Sequence, residues 1–458
     1  MSEKTHIAKI VNGGYGFARL ASGQVALIRQ ALPDETVIIT IEETKKNHLF
    51  GSVRQILRAH PARRDPPCKY YGQCGGCDLQ HCDYDTQLII KQGIIEDLLR
   101  RQKTTAVQEA VALLAAPLPS PAVFGYRQRI RLQVGPRGVV GFYRFRSHDI
   151  IAIESCLLAG DAINTTLAAL RKENSGRRLS EIASEIELQL NPATGRIVPI
   201  FHLLRKVRPA DAESARQFCR DNSMVERIFF VGADFPLAGP YGISEHLEQG
   251  QMENNFAVEY SLLATTHHPV RLNWEAGGFC QVNLAQNSHL IEIVKQFCRL
   301  DQTETVLDLY CGMGNFSIFL AMQAKEVLGV EAQGAAIRSA KKNAALAGLT
   351  NTHFIKQSVD DFCRDLAAKN QQFDCVVLDP PRQGAPGLAR QLAAITAQRL
   401  VYISCDPATL CRDLVDLCDA SFSVRMVQPL DMFPQTHHIE TVVLLEKGCK
   451  PRKDRLKS

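Results

Sequence analysis

No stretch of this 458-residue chain approaches the roughly 18 consecutive apolar residues that a membrane span requires. The N-terminus, Met1-Ser2-Glu3-Lys4, carries charge where a secretory signal would place an apolar core, which points to a cytoplasmic protein. A Gly-x-x-x-x-Gly-Lys run is missing, which argues against a phosphate-cradling NTPase. Neither sign of charge dominates: 53 Lys and Arg against 48 Asp and Glu leave a net charge of +5, which permits nucleic-acid binding without demonstrating it. A secreted disulfide framework is also absent, because the 15 cysteines are odd in number and scattered along a long chain. Reduced thiols, with one clustered group serving a metal, fit that distribution better. The length suggests about three domains with room for a sizeable core.

In residues 1 to about 62, short strands are expected over His6 to Val11, Val25 to Ile28, Thr36 to Ile41 and Phe50 to Ile56, punctuated by Gly13-Gly14, Gly23 and Pro33-Asp34. Such a series reads as a small all-β barrel. Lys9, Arg19, Arg29, Lys45 and Lys46 would surround it, as an RNA-binding face or as ordinary solvated surface. The pattern resembles a TRAM domain, an RNA-binding module of RNA-modifying enzymes; Asp34 stands where glycine would be expected after the proline.

Residues 63 to about 268 open with Cys68, Cys74, Cys77 and Cys82, with Gly72, Gly75 and Gly76 between them. Several thiolates brought together by a glycine-rich loop suggest zinc or an iron–sulfur cluster. Local spacing favours Cys82 as fourth ligand, but Cys156, after a strand-like Asp149 to Ile153, could return to the same place; spacing alone does not choose. An amphipathic helix is expected over Lys91 to Lys103. Arg127, Arg129 and Arg131 alternate with Gln128, Ile130 and Leu132, which in a strand puts three guanidinium groups on one face. Gly141-Phe142-Tyr143-Arg144-Phe145-Arg146 repeats the mixture of arginine and aromatics. Guanidinium forks match phosphates and rings can stack on bases, although a plain solvated sheet face has the same pattern. Glu185 to Leu190, Ile197 to Leu203 and Arg227 to Val231 read as further strands, and Asp161 to Arg171 and Ala210 to Asn222 as helices, of a β-rich middle domain.

From about residue 269 to 448 strands and helices alternate, as in a doubly wound α/β sheet. Strands are expected over Thr305 to Leu309, Glu326 to Val330, His353 to Lys356, Asp374 to Leu378, Leu400 to Ile403, Ser423 to Gln428 and Thr441 to Glu446. Helices are expected from about Ala285, over Gly334 to Leu346, Val359 to Ala368 and Ala408 to Leu417. Asp308-x-x-Cys311-Gly312-x-Gly314-Asn315 is a nucleotide-type strand-to-helix loop, and Glu331 at the next strand end can hold a ribose. Asp379-Pro380-Pro381-Arg382 follows the fourth strand. Ordering and motifs look like a class I methyltransferase that binds S-adenosylmethionine.

Asp406-Pro407 stops the strand before it, so Cys405 sits at a strand's carboxyl end, where open α/β sheets place ligands. Its thiol is a candidate nucleophile, and Glu440, in His437-His438-Ile439-Glu440-Thr441, a candidate base. That pair suits carbon methylation of a pyrimidine. A thiolate adds to C6, C5 attacks the sulfonium methyl, and a base removes the C5 proton so that the thiolate can leave. Cys280 and Cys311 are the rival thiols.

Barrel, cysteine cluster, Gly-Tyr-Arg strand, Phe279-x-Gln281-x-Asn283, Asp-x-x-Cys-Gly-x-Gly-Asn, Asp-Pro-Pro-Arg, Ser404-Cys405-Asp406-Pro407 and His-Ile-Glu together resemble the RNA uracil-5-methyltransferase family. The likeness is to its bacterial 23S ribosomal RNA subfamily, which carries a TRAM domain and a 4Fe–4S cluster, and it covers nearly the whole chain. The resemblance implies a multidomain α/β protein: a TRAM-like β-barrel (1–62), a β-rich central domain with the iron–sulfur cluster and RNA-binding strands (63–268), a Rossmann-like methyltransferase domain (269–448) and a basic tail (449–458). It implies Cys68, Cys74, Cys77 and Cys156 as cluster ligands, leaving Cys82 out. It implies Gln281, Tyr310, Asn315, Glu331, Ser358 and Asp379 as S-adenosylmethionine contacts, Ser358 departing from the amide or acid usual there. It implies Cys405 as nucleophile and Glu440 as base. The expected partner is 23S ribosomal RNA or a ribosomal assembly intermediate, with no obligate protein partner evident. Competing readings are the same reaction on transfer RNA, amino methylation, and a non-catalytic iron–sulfur RNA-binding protein.

Overall fold

The computed structural model describes residues 2–232, 235–242, 255–260 and 270–448. The expected domain boundary near 268 and the basic tail Lys450 to Lys457 lie outside the described residues. The chain divides into two compact units. The first comprises residues 1–89, 120–287 and 433–437; the second comprises 90–119, 288–432 and 438–458. No helix among the described residues is long and apolar enough to cross a membrane.

In the first unit, the N-terminal six-stranded sheet has the order Ser2–His6, Thr36–Thr44, His48–Arg58, Val25–Arg29, Tyr15–Arg19, Lys9–Val11. Alternation builds its core: Ala26 and Ile28 in one strand and Val37 and Ile39 in another turn inward with Ile7, Ala18 and Leu49. The single strand expected over His6 to Val11 is two, because Ile7 turns into the core while its N–H donates to Glu35 O at 2.9 Å. Tyr15–Arg19 escaped the sequence reading because the flanking Gly13-Gly14 and the internal Gly16 looked like turn punctuation. Asp34 has φ +61°, the left-handed backbone that explains the glycine expected there.

The second sheet of this unit has seven strands, in the order Phe235–Tyr241, Ile228–Gly232, Arg196–Leu203, Ala183–Asn191, Arg129–Gly135, Val139–Tyr143, Ile150–Ala152. Helices Asp161–Lys172, Asn174–Glu181 and Pro209–Asp221 accompany it. The arginine alternation is realised only in part. Arg127 precedes the strand, and Arg129 and Arg131 both reach the buried Glu187, at 2.5 and 3.2 Å. Arg129 is largely buried in its ion pair, whereas Arg131 keeps about half of its side chain exposed.

The second unit holds a seven-stranded sheet in the order Thr352–Lys356, Glu326–Glu331, Thr305–Leu309, Phe373–Leu378, Thr396–Ser404, Glu440–Lys447, Phe422–Leu430. The first five strands are parallel, and Glu440–Lys447 runs antiparallel to both neighbours. The chain winds first to one side of Thr305–Leu309 and then to the other, so the topological switch lies beside that strand's carboxyl end. Leu400, Val401, Tyr402 and Ile403 are wholly buried, as a central strand with both faces covered requires. Helix Ala389–Ile395 was not anticipated. The helix expected over Lys91 to Lys103 spans Tyr84–Arg100, because Asp83 accepts the Thr86 N–H at 2.8 Å and caps it earlier. Lys91 on this helix forms a fully buried ion pair with Asp431 at 2.5 Å. Removing either partner would strand a buried charge at a cost of about 3–5 kcal/mol.

Candidate active site and a cysteine-lined cavity

Four adjacent parallel strands of the second unit end on the same edge. There they deliver Tyr310 and Asn315, Glu331, Ser358 and Asp379 in turn. Tyr310 has φ +62°, so the chain leaves its strand sharply, and the turn is closed by Gly314 N–H donating to Cys311 O at 2.9 Å. Asn343 pins the loop by donating to Met313 O at 2.9 Å. Beneath it, buried Asp308 accepts the Ser317 hydroxyl at 2.5 Å. Burial pushes the Asp308 carboxyl up to about 7, with Glu331 adding to the rise. Glu331 accepts the Gln333 N–H at 2.8 Å. Ser358 is exposed at the N-cap of helix Val359–Ala368, and its side chain makes no capping bond. Asp379 is likewise pushed up to about 7, by burial and then by Asp308.

The next strand along, Thr396–Ser404, ends just before Cys405, and helix Pro407–Asp419 starts at once. Asp406 caps that helix by accepting the Ala408 and Thr409 N–H groups at 2.9 and 3.1 Å. The register of the neighbouring antiparallel strand places Ser404 opposite Thr441. Cys405 directly follows Ser404, and Glu440, the first residue of its strand, directly precedes Thr441. Facing residues of an antiparallel pair have Cβ atoms about 5 Å apart, so the Ser404–Thr441 pair keeps the residues that adjoin it close together.

The electrostatics agree with that placement. The half-buried Cys405 thiol is pushed up to about 12, by burial first and then by the Glu440 and Asp379 carboxylates. The buried Glu440 carboxyl is pushed up to about 8, by burial and then by Asp379. Arg382 opposes both rises. Its loop is stapled to helix Pro407–Asp419. Thr409 Oγ1 donates to Arg382 O at 3.1 Å, Arg412 to Gln383 O at 2.7 Å, and Ala385 N–H to Asp413 Oδ2 at 2.8 Å. Gly384 is required here. It has φ +74°, and a Cβ would fall 2.3 Å from Asp413 Oδ2.

The rival thiols are differently placed. Cys280 is buried in the first unit, where its sulfur accepts the Gln189 amide at 3.2 Å. Cys311 is buried against Gly329, where a Cβ would come within 2.9 Å of its sulfur.

In the first unit, Cys68, Cys74, Cys77 and Cys156 line one cavity of about 920 Å³, together with Arg127 and Phe145. Asn164 seats Cys156 by accepting its N–H at 2.8 Å and donating to its carbonyl at 3.1 Å. The thiols feel one another. Burial raises Cys74 and Cys156, and pushes Cys77 up to about 12, with the neighbouring sulfurs adding to each rise and Arg127 opposing it. Cys82 is apart from this set: it is buried, and its thiol donates to Leu79 O at 3.4 Å. Among the described residues no three His, Cys, Asp or Glu side chains form a group that could hold a single metal ion. The four thiols share the lining of this cavity with Arg127, the cation that opposes the rise in three of them.

Several known proteins resemble this chain. A family described as tRNA (Uracil-5-)-methyltransferase matches residues 251–448, and the TRAM domain matches residues 6–53. An uncharacterized RNA methyltransferase of Thermotoga maritima is 32% identical over 460 residues, spanning 98% of this chain and 100% of its own. The 23S rRNA (uracil(1939)-C(5))-methyltransferase RlmD of Pseudomonas putida is 32% identical over 454 residues, spanning 97% and 94%. The chain belongs to the RNA uracil-5-methyltransferase family. The crystal structure of the Pyrococcus abyssi tRNA (uracil-54, C5)-methyltransferase in complex with S-adenosyl-L-homocysteine superposes with a TM-score of 0.68 at 25% identity, covering 96% of this chain and 99% of that one.

In this RNA uracil-5-methyltransferase, five of the six cofactor candidates share one sheet edge of the second unit; Gln281 belongs to the first. Arg382 is the site residue that sequence reasoning passed over. It stood inside the Asp-Pro-Pro-Arg motif, but nothing in the motif tied it to Cys405. Because Arg382 favours the ionised forms of Cys405 and Glu440, Arg382→Gln should raise both. The acid limb of kcat/KM against pH is then expected to move to higher pH by about 0.5–1 unit. A pH–rate series on both proteins checks this.

Proposed function

We propose that this enzyme transfers the methyl group of S-adenosylmethionine to C5 of one uridine in 23S ribosomal RNA, with Cys405 as nucleophile and Glu440 as general base. The observation that carries the reading is the pairing of Ser404 with Thr441, which brings the adjoining Cys405 and Glu440 together at the strand ends. The Cys405 thiolate bonds to C6, and the C5–C6 electron pair moves into the O4 enolate. The enolate's C5 then takes the sulfonium methyl, and S-adenosylhomocysteine departs. Glu440 takes the C5 proton, the C5–C6 double bond re-forms, the C6–S bond breaks, and the thiolate is regenerated. A cationic methyl donor held by the carboxylate-bearing strand ends would favour the ionised forms of Cys405 and Glu440, countering the burial that raises both. Gln281, Tyr310, Asn315, Glu331, Ser358 and Asp379 are the residues proposed to hold the cofactor. Flipping the uracil costs a few kcal/mol, less in a loop.

Ribosomal RNA is favoured by near full-length likeness to the Pseudomonas enzyme, and transfer RNA by the Pyrococcus structure. Transcripts of both RNAs, incubated with methyl-labelled S-adenosylmethionine, separate the two. Label confined to 23S RNA is the expected result, and label in tRNA alone would reassign the substrate.

Cys68, Cys74, Cys77 and Cys156 are proposed to hold a 4Fe–4S cluster. When bound it would supply a structural cross-link, since carbon methylation needs no electron transfer. Cys156→Ser is expected to lose iron, acid-labile sulfide and visible absorbance, and Cys82→Ser to keep all three. Equal loss in both variants would contradict this ligand set.

A further inference from the structure

The five residues Phe433–His437 interrupt the second unit: the chain before and after them belongs to it, whereas they belong to the first. Their polar groups account for this. Gln435 is wholly buried with φ +71°. Its carbonyl accepts the N–H groups of Asp78 and Leu79 at 3.2 and 3.1 Å. Its backbone N–H donates to Gln87 Oε1 at 2.9 Å, and the Gln87 amide donates back to Gln435 Oε1 at 3.0 Å. Tyr126 donates to Pro434 O at 3.0 Å. His437 Nδ1 lies 2.5 Å from Asp78 Oδ2. Gly14, in the turn before strand Tyr15–Arg19, lets both approach; a Cβ there would stand 3.1 Å from His437 Cβ and 3.2 Å from Asp78 Cγ.

Asp78 therefore grips this segment twice, through its backbone N–H and through its carboxylate. Three residues after His437 comes Glu440, and Asp78 itself follows Cys77 directly. We infer that Asp78 is a positioning residue for Glu440: by holding Gln435 and His437 it sets the backbone that carries the base. This rests on the proposed roles of Cys405 and Glu440. Its consequence is selective. Addition of Cys405 to C6 and methyl transfer make no demand on Glu440, whereas C5 deprotonation does. A base displaced by a fraction of an ångström slows only the last step.

The test compares wild type, Asp78→Ala, Asp78→Asn and His437→Ala as full-length protein with 23S RNA. Asn keeps an acceptor for His437 and so serves as the conservative variant. In Asp78→Ala and His437→Ala, kcat is expected to fall about 10- to 100-fold with KM for RNA and S-adenosylmethionine little changed. The methylated Cys405–RNA adduct should rise to a major species on denaturing gels. Asp78→Asn should restore most of the rate and clear the adduct. Loss of activity and of melting temperature together, with no adduct accumulating, would overturn the inference, as would unchanged kinetics. His437→Ala decides the matter if Asp78→Ala proves too unstable to purify, because it cuts the same link without touching the cysteine loop. If wild type itself forms no adduct on 5-fluorouracil RNA, the Cys405 and Glu440 reading fails, and this inference with it.

Discussion

Cys405→Ala is expected to lower methyl transfer to RNA by at least about 10⁴-fold, because no other group at the site can add to C6 and turn C5 into a nucleophile. Cys280 cannot substitute, since its buried sulfur is occupied by the Gln189 amide. Cys311 cannot either, since it is packed against Gly329. Binding of S-adenosylmethionine should survive, since the five second-unit candidates Tyr310, Asn315, Glu331, Ser358 and Asp379 stand on other strand ends. Equilibrium dialysis with the labelled cofactor, beside a transfer assay, separates the two effects. An alanine variant that still methylates RNA would favour amino methylation, which needs no thiol.

Glu440→Gln is expected to stop the cycle one step later. The thiolate can still add and the methyl can still move, but the C5 proton has no acceptor. Turnover should fall about 10²- to 10⁴-fold while a methylated, covalently linked enzyme–RNA species builds up. The same substitution should stabilise the fold. In the native protein burial and Asp379 raise the Glu440 carboxyl to about 8, well above its ordinary value of 4.5. A carboxyl raised on folding contributes its full stability below the unfolded value and loses it as pH climbs through the folded one. At pH 8 the native state thus pays for a buried acid that an amide does not have. The gain in Glu440→Gln should be on the order of 2–4 kcal/mol at pH 8 and should vanish by pH 4. Melting temperatures of both proteins at the two pH values check the sign, and a variant destabilised at pH 8 would contradict it.

Much of the second unit was legible because its sequence signals are local. Thr305–Leu309, Gly334–Leu346 and Val359–Ala368 have the bounds expected of them, each set by an apolar period meeting glycine, serine or a charged turn. Cys405 and Glu440 were legible as residue types suited to one reaction. Their adjacency was not, since it depends on an antiparallel register between strands separated by a whole helix and strand. Arg382 was hidden for the same reason: its meaning comes from a loop stapled to helix Pro407–Asp419 by Thr409, Arg412 and Asp413.

The first unit was harder to read because its chemistry is assembled from distant segments. Alternation correctly put Arg129 and Arg131 on one face, but no pattern in the sequence announced that Glu187, more than 50 residues later on the strand that pairs with theirs, would reach both. Spacing favoured Cys82 over Cys156, whereas in the fold Cys156, in the loop after strand Ile150–Ala152, lines the same cavity as Cys74 and Cys77. The grip of Asp78 on Gln435 and His437 joins residues more than 350 positions apart and has no local signal at all.

The most direct measurement uses 23S RNA transcribed with 5-fluorouridine, S-adenosylmethionine and the purified enzyme. Fluorine at C5 cannot leave as a proton, so the cycle must halt after methyl transfer. The expected result is a denaturation-resistant complex whose digestion yields one peptide, containing Cys405, linked to a methylated fluorouridine, and no complex with Cys405→Ala. Methylation of unmodified 23S RNA with no trapped complex, or a complex through any other cysteine, would contradict it.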